Sequence, residues 1–346
     1  MSKVVTFGEI MLRLSPPGST RFTQAQSYEA TYGGGEANVA ISLSHFGLST
    51  EFVTRLPDND LGKTAISELR RHNVGVSHII RGGDRLGLYF LEKGAVSRGG
   101  QVIYDRANSA ISEIKPGMID WELVLEGCCW FHWSGITPGI SQSAAEVTLE
   151  AIEVAHELRL PISVDFNYRS KLWNYGKKPS EVMPEMLQYC DVMLLSKEDA
   201  QYHLDIKPDD NGTQSSEGVK IANTYRSIGE QVFDRFPKTR LILSSCRKTI
   251  SANHNEYSAV VYDGSKIFQS KNYEITHIVD RVGGGDALMA GFIYGLNTFD
   301  TDYQKTLEFA VAAATLKHTI PGDANLVSVE EVIKLMEGEQ SGRVDR

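Results

Sequence analysis

Five short apolar runs recur along this chain, each about as long as a buried β-strand. They lack the polar alternation of a half-exposed strand, which is typical of strands covered on both faces of a parallel sheet. Segments with helical spacing lie between them, so we expect an α/β fold with a mostly parallel sheet and helices on both faces. The predicted strands are Val4–Phe7, Cys129–Trp133, Ile162–Phe166, Val192–Leu195 and Leu241–Ser244.

Amphipathic helices are predicted where apolar residues recur at helical spacing between polar ones. The clearest of them are Ser141–Leu158, Glu181–Tyr189, Glu217–Phe236, Asp286–Asn297, Tyr303–His318 and Ser328–Glu337.

Two stretches interrupt this alternation, at about residues 10–32 and 87–106. In the second, Leu88 and Phe90 face Val102 and Tyr104 across glycine-rich turns, a pattern that favours exposed antiparallel strands. We expect a small projecting sheet that acts as a lid over a pocket. Residues 207–216 are predicted to be a surface loop and not a domain linker, so the chain is interpreted as one domain over residues 1–346.

Composition excludes several classes of function. The net charge of −9 argues against nucleic-acid binding, which needs a basic face. The four cysteines form neither a CxxC pair nor a disulfide framework, and the nine histidines show no metal-ligand spacing. No signal peptide and no apolar stretch near the ~20 residues of a membrane span is recognised, so a cytoplasmic protein without a membrane partner is expected.

The sharpest local signal is the segment from Asp280 to Gly291, where three glycines and Asp286 open a helix rich in small residues. Glycines let backbone N–H groups approach an anion closely, and a helix N-terminus adds partial positive charge at the same place. The segment therefore predicts a phosphate cradle, with Asp286 as the base that takes a proton from an attacking hydroxyl. The same residues could instead serve a tight turn and a helix cap.

The glycine pattern differs from two well-known nucleotide motifs. No Lys-Ser/Thr follows the last glycine, as a Walker A loop requires. The glycines also do not follow a first strand, as in a dinucleotide-binding fold.

With a second motif, Gly33–Ala40 followed by Leu43 and Phe46-Gly47, the chain resembles the ribokinase-like (PfkB-type) carbohydrate kinases. Their C-terminal pattern is Asp-Thr-x-Gly-Ala-Gly-Asp, which residues 280–286 match. The resemblance implies a ribokinase-like three-layer sandwich with a small β lid, and an ATP-dependent kinase whose Mg²⁺ arrives with the nucleotide, without a metal site built from protein ligands.

Three positions depart from the family pattern. Arg281 replaces the usual threonine, which puts in doubt a monovalent-cation site. Gly284 replaces alanine, which is a mild change. The usual Asn-x-x-Glu reads Ser196-Lys197-Glu198-Asp199.

Four further stretches are similar to 2-keto-3-deoxygluconate kinases: Phe7–Leu14, Val164–Trp173, Ile250–Asn255 and Lys317–Asp323. Such a substrate has a carboxylate at one end and a primary hydroxyl at the other. Its pocket needs a cation and a base, and we expect Arg106 and Arg169 to provide the cation.

The resemblance implies the following site residues, with Asp286 as base and the N–H groups of Gly283, Gly284 and Gly285 as the anion hole. The sugar acid would contact Gly34, Tyr89, Tyr104, Arg106, Ile136, Arg169 and Asp286, and the nucleotide would contact Asn167, Ser196, Ser245, Arg247, Gly283 and Gly285. Without the resemblance, Arg106 would be interpreted as a solvated lid residue, and Tyr89 and Tyr104 as a packed cross-strand pair.

Two alternatives remain open at this point. The substrate could be a neutral ketose such as fructose, or the chain could be a non-catalytic regulator that binds sugar and nucleotide. The lid sheet also offers an edge on which a homo-oligomer could form.

Overall fold

The computed structural model describes residues 3–207 and 217–339, and these contain fifteen β-strands in three sheets. The strands are β1 (Lys3–Phe7), β2 (Met11–Ser15), β3 (Glu29–Gly33), β4 (Ser49–Val53), β5 (Arg55–Leu56), β6 (Ile80–Arg81), β7 (Leu88–Glu92), β8 (Gln101–Asp105), β9 (Cys128–Ser134), β10 (Ile162–Asp165), β11 (Val192–Leu194), β12 (Leu241–Ser251), β13 (His254–Tyr262), β14 (Ile267–Gln269) and β15 (Tyr273–Ile275).

Eleven α-helices lie within the described residues, and none of them is both long and apolar enough to cross a membrane. They are α1 (Gly35–His45), α2 (Asp60–Arg71), α3 (Trp121–Leu125), α4 (Ile136–Ile140), α5 (Gln142–Glu157), α6 (Pro179–Leu187), α7 (Lys197–Leu204), α8 (Glu217–Arg235), α9 (Gly284–Thr298), α10 (Tyr303–Lys317) and α11 (Val329–Met336).

The central sheet has the strand order β14-β13-β12-β11-β10-β9-β1-β4, and β15 pairs with β13. In this order, β12, β11, β10, β9, β1 and β4 run parallel to one another. Strand β13 is antiparallel to its neighbours β12, β14 and β15. Neighbouring residues of β1 belong to different hydrophobic cores. Val5 belongs to the core that includes residues of α5 and α8, and Val4 belongs to the core that includes residues of α1, α9 and α10. The expected sandwich of a parallel sheet between two helical layers is confirmed.

A second sheet, with the order β3-β2-β7-β8, forms the projecting part of the fold. The pairs β2–β3 and β7–β8 are antiparallel, and β2 and β7 join them in parallel. Strands β2 and β3 lie between β1 and α1 in the sequence, so this lid sheet begins and ends beside the central sheet. The predicted small sheet is present, and β3 ends at Gly33, one residue beyond the predicted range. The expectation of exposed antiparallel strands is wrong for β2 and β7, which are mostly buried and pair with each other in parallel.

The sequence prediction omitted several elements, most clearly α1. Its residues from Glu36 to Leu43 are buried, so α1 lacks the polar stripe by which an amphipathic helix is recognised. Helix α9 begins at Gly284, two residues before the predicted start. The loop predicted at residues 207–216 lies outside the described residues, apart from Lys207.

We expect Gly291→Val to destabilise the protein, because α9 and α10 touch at this glycine. A Cβ atom on Gly291 would lie 2.7 Å from the Cα atom of Ala310, a backbone atom that cannot move aside easily. The expected loss in the free energy of unfolding is about 1–3 kcal/mol in urea titration. Gly99→Val is the control, since its Cβ would meet no atom within 4 Å. Equal stability of the two variants would contradict the close α9–α10 contact.

Candidate active site

The carboxyl ends of β1, β9, β10 and β11 lie along one edge of the central sheet, because these strands are parallel. Ligands of open α/β sheets bind at this edge. Four predicted site residues follow these strands directly, namely Ile136, Asn167, Arg169 and Ser196.

The two glycine motifs meet at this edge although they are far apart in the sequence. The Nδ2 atom of Asn38, in α1, donates a 2.7 Å hydrogen bond to Oδ2 of Asp286, in α9. A Cβ atom placed on Gly35 would lie 3.6 Å from Oδ1 of Asp286, 3.7 Å from Nδ2 of Asn167 and 3.9 Å from Cδ1 of Ile136. The start of α1 therefore brings the predicted base, a nucleotide-side residue and a wall residue together.

Asp286 lies in the first turn of α9 with 8% of its surface exposed. Burial raises the pKa of this carboxyl to about 6, although the Asn38 hydrogen bond and the positive charge of Arg169 oppose the rise. The carboxylate is therefore ionised at neutral pH and more basic than an ordinary aspartate, which suits a general base.

The glycine turn, residues 283–285, is shaped by the backbone around it. Gly283 has φ = 82°, in the left-handed region, and a Cβ atom there would overlap the carbonyl oxygen of Asp323. Only glycine fits without strain. Gly284 is buried beside His318, and Gly285 is exposed. The first N–H groups of α9 have no intrahelical acceptor, so they are suited to bind an anion.

A second carboxylate, Asp165, lies beside the glycine turn at the end of β10. A Cβ atom on Gly285 would lie 3.9 Å from its Oδ2 atom, and its Oδ1 atom accepts from the backbone N–H of Asn167. Burial, together with the charges of Asp286 and Asp199, raises the pKa of Asp165 well above its usual value. Bringing a cation into the site would relieve this repulsion.

A third buried acid, Glu36, lies in the first turn of α1. Its Oε1 atom accepts hydrogen bonds from Ser134 (2.6 Å) and Thr137 (2.9 Å). Burial raises its pKa to about 7, and the charge of Asp286 adds to the rise. Glu36 thus belongs to the same electrostatic environment as the predicted base.

On the sugar side, Gly34 lies between the lid strand β3 and helix α1. A Cβ atom on it would overlap the carbonyl oxygen of Glu9, so only glycine allows this approach. The rings of Tyr89 and Tyr104 lie 6.0 Å apart on β7 and β8, and the Tyr89 hydroxyl donates to Asp323. The packed tyrosine pair is present, and one of its hydroxyls is already engaged by the protein.

The two predicted arginines differ in environment. Arg106 is buried, forms an ion pair with Glu9, and lies with its guanidinium 5.6 Å from the centre of the Tyr104 ring. Its Nε atom is buried without a hydrogen-bond partner. Arg169 is exposed beyond β10, close enough to lower the pKa values of both Asp286 and Asp165. Arg169 is thus the better placed of the two to meet a solvated anion.

The predicted nucleotide-side residues lie around the end of β11. Ser196 caps α7 and hydrogen-bonds Asp199. Ser245 and Arg247 belong to the part of β12 that continues past the last pair with β11, Leu194 with Leu243.

The guanidinium of Arg281 lies near that of Arg247. Arg281 donates to Asn255 (3.2 Å), and its pKa is lowered by burial and by the charge of Arg247. Two arginines therefore approach each other beside the glycine turn.

Behind the glycine turn, Arg13 bridges two carboxylates that the sequence analysis had not singled out as a cluster. Its guanidinium lies 2.6 Å from Asp280 and 2.6 Å from Asp323, and all three are buried. Burial alone would lower the pKa of Arg13, but the two carboxylates more than offset this and raise it. Arg13 and Asp323 lie in two of the stretches that resemble 2-keto-3-deoxygluconate kinases. This resemblance is the sequence feature that could have indicated these two residues.

A further cavity lies near the site. A cavity of about 390 Å³ lies between the lid and the 278–281 segment, with Lys93, Asn253 and Arg281 in its wall. Neither Asp286 nor the glycine turn is in that wall, so this cavity is separate from the predicted base. Within residues 3–207 and 217–339, no three His, Cys, Asp or Glu side chains group as a metal site.

Comparison with known proteins identifies the family. The family model described as pfkB family carbohydrate kinase matches residues 1–232 and 244–329. The chain belongs to the pfkB family of carbohydrate kinases. This membership confirms an enzyme and argues against the non-catalytic regulator.

Two relatives align with this kinase over almost its whole length. The crystal structure of 2-dehydro-3-deoxygluconokinase from Thermotoga maritima is 43% identical, with a TM-score of 0.90 over 98% of this chain and 100% of that chain. The 2-dehydro-3-deoxygalactonokinase of Haloferax volcanii is 32% identical over 100% of this chain and 99% of its own length. A fructokinase with bound ATP from Xylella fastidiosa shares the fold, with a TM-score of 0.74 at 20% identity over 97% of this chain and 98% of that chain.

We expect Asp286→Asn to stabilise this kinase at neutral and alkaline pH. Because the folded-state pKa of about 6 exceeds the ordinary value of 3.8, ionisation of Asp286 costs stability as the pH rises through this interval. Removing the charge should raise the free energy of unfolding by about 1–3 kcal/mol at pH 8, and the gain should vanish near pH 4. Urea titrations at both pH values measure it.

Asp84→Asn is the control, since Asp84 is exposed. Its effect should stay within about 0.5 kcal/mol at both pH values. A loss of stability in Asp286→Asn at pH 8 would contradict the proposed burial of an ionised group.

Proposed function

We propose that this kinase transfers the γ-phosphoryl group of ATP to the terminal hydroxyl of 2-keto-3-deoxygluconate, also called 2-dehydro-3-deoxygluconate. The observation that carries the proposal is the buried Asp286, held by Asn38 at the N-terminus of α9 and beside the glycine turn. The two full-length relatives, named for sugar acids of the 2-dehydro-3-deoxy type, support the substrate class.

In the proposed reaction, the carboxylate of Asp286 takes the hydroxyl proton as the substrate oxygen attacks the γ-phosphorus. The new oxygen–phosphorus bond forms while the bond to the bridging oxygen of ADP breaks, and ADP leaves with the electron pair. The N–H groups of Gly283, Gly284 and Gly285 hold the oxygens of the transferring group, where negative charge must be stabilised.

The carboxylate of the sugar acid is proposed to bind Arg169. Arg169 is exposed, and its charge lowers the pKa of Asp286, whereas Arg106 already pairs with Glu9. Arg106 can still offer its unpartnered Nε–H group. Gly34, Tyr104 and Ile136 would complete the walls of the sugar pocket.

The nucleotide is proposed to lie along Ser196, Ser245 and Arg247, with Asn167 near its phosphates. Asp165 is the carboxylate that fits a Mg²⁺ ion at this place, because its repulsion with Asp286 and Asp199 favours a cation. Both oxygens of Asp199 already accept protein hydrogen bonds. The ion would therefore be held mainly by phosphates and water, and it would neutralise charge on the phosphates.

We expect Asp286→Asn to abolish phosphoryl transfer while the sugar acid still binds. Loss of a general base lowers kcat by about 10²–10⁴ or more. In the wild type, kcat/KM should fall as the pH drops below about 6, since Asp286 must be ionised to accept a proton. ADP release measured from pH 5 to 9 tests this. Wild-type activity in the variant would remove Asp286 from the mechanism.

The substrate class is tested by Arg169→Ala in a panel of 2-keto-3-deoxygluconate, its C4 epimer 2-keto-3-deoxygalactonate, fructose and ribose. Loss of one charge-assisted contact should raise KM for the keto acids by about 10-fold to 100-fold and leave fructose unchanged. Arg71→Ala, an exposed change on α2, serves as the control. Good turnover of fructose with none of the keto acids would favour the neutral-ketose alternative.

A further inference from the structure

Lys317 is a buried lysine that the reaction described so far does not use. It is the last residue of α10, and its relative exposure is 0%. Complete burial is rare for lysine, because an ammonium group loses its hydration and needs compensation. Its presence therefore calls for a specific role.

The contacts of Lys317 are unusual for a buried cation. Its Nζ atom lies 3.2 Å from the carbonyl oxygen of Ile320 and 3.4 Å from that of Asp280. Among the described residues, it forms no ion pair with a carboxylate within 4.0 Å, since Arg13 takes the carboxylates of Asp280 and Asp323. Backbone dipoles and more distant charges hold the ammonium group, and it lacks a dedicated counterion.

The position of Lys317 relates it to the glycine turn. A Cβ atom on Gly283 would lie 3.2 Å from the Cε atom of Lys317, so the side chain packs directly against the N-cap residue of α9. The ammonium group and the free N–H groups of α9 therefore act on the same small region. A negative charge at the turn would complete the compensation that Lys317 lacks.

The adjacent histidine, His318, adds no second positive charge beside the turn. The Nδ1 atom of His318 lies 2.7 Å from the carbonyl oxygen of Ala314, so Nδ1 carries the proton and donates. Burial lowers the pKa of His318 to about 4, and Lys317 is among the cations that add to the shift. The imidazole is neutral near pH 7, which leaves Lys317 as the charged member of the pair.

We propose that Lys317 is a positioning residue whose fixed positive charge, acting through the glycine turn, stabilises the transferring phosphoryl group. It does not touch the substrate, and it strengthens the anion hole from behind. This inference rests on the proposed phosphoryl transfer and adds a residue to it. A charge held in a water-poor region acts strongly on charge that develops in the transition state.

The experiment compares Lys317→Met with Lys63→Met, whose lysine is 66% exposed on α2. Methionine keeps an unbranched side chain of similar volume, one atom shorter, and removes the charge. We expect Lys317→Met to lower kcat by about 10²–10³-fold, with KM for the sugar acid within about threefold. Its melting temperature should stay equal or rise, because an apolar replacement of a buried ion is often neutral or stabilising. Lys63→Met should change none of these.

A merely structural role predicts the opposite pattern, with melting temperature and activity falling together. That result, or a kcat within threefold of the wild type in folded Lys317→Met, would overturn the inference.

A wild-type measurement keeps the test valid if the variant does not fold. The charged or titratable groups that face Lys317 are Arg13, Asp280, Asp286, His318 and Asp323. Burial lowers the pKa of Lys317 to about 8, against the effect of these carboxylates. A phosphate at the turn should raise it again. Binding of Mg·ADP at pH 8.5 should therefore take up roughly half a proton or more, measured by calorimetry in buffers of different ionisation enthalpy.

The two possible failures are distinguishable. Proton uptake on Mg·ADP binding, without phosphoryl transfer to any keto acid, would refute the proposed substrate and would still support the proposed role of Lys317. Binding of Mg·ADP without proton uptake would overturn the role of Lys317 alone. Absence of Mg·ADP binding would overturn both.

Discussion

The buried bridge from Arg13 to Asp280 and Asp323 holds the site together, because it joins three distant parts of the chain. Arg13 belongs to the lid strand β2, Asp280 lies three residues before the glycine turn, and Asp323 lies in the loop after α10. Removing one partner of a buried ion pair leaves an uncompensated charge, at a cost of about 3–5 kcal/mol. The bridge therefore fixes the lid sheet relative to the turn, and the Tyr89 hydroxyl, which also binds Asp323, reinforces this connection.

Around this bridge the site buries three acidic side chains and one lysine. In the described part of the chain, the lysine forms no ion pair with these acids within 4.0 Å. Asp286, Asp165 and Glu36 are buried acids whose pKa values are raised, while Lys317 is a buried base whose pKa is lowered. These pKa shifts mean that the charged forms of the buried groups raise the free energy of the empty site. A cation beside the acids and an anion beside the lysine would relieve both, so the site is electrostatically suited to a metal–phosphate ligand.

Sequence reasoning predicted five strands of the central sheet, six of the helices and the Asp286 turn because each of these has a local pattern. It missed α1 because a helix buried on every side shows no stripe, and it missed the Asn38–Asp286 contact because a pairing between residues 248 positions apart has no local signal. Arg106 illustrates the same limit. Its proximity to Tyr104 follows from adjacency in the chain, whereas its ion pair with Glu9 requires the lid to fold back on β1.

The assignment of the two arginines follows from solvation rather than from position alone. A buried arginine that already pairs with a carboxylate gains little from a second anion, because its charge is largely compensated. An exposed arginine is weakly bound to water and free to form a bidentate contact with a carboxylate. The positive charge of Arg169 also lowers the pKa of Asp286, so it favours the ionised form of the base. One residue can therefore hold the acid end of a substrate and moderate the pKa of the group that activates the other end.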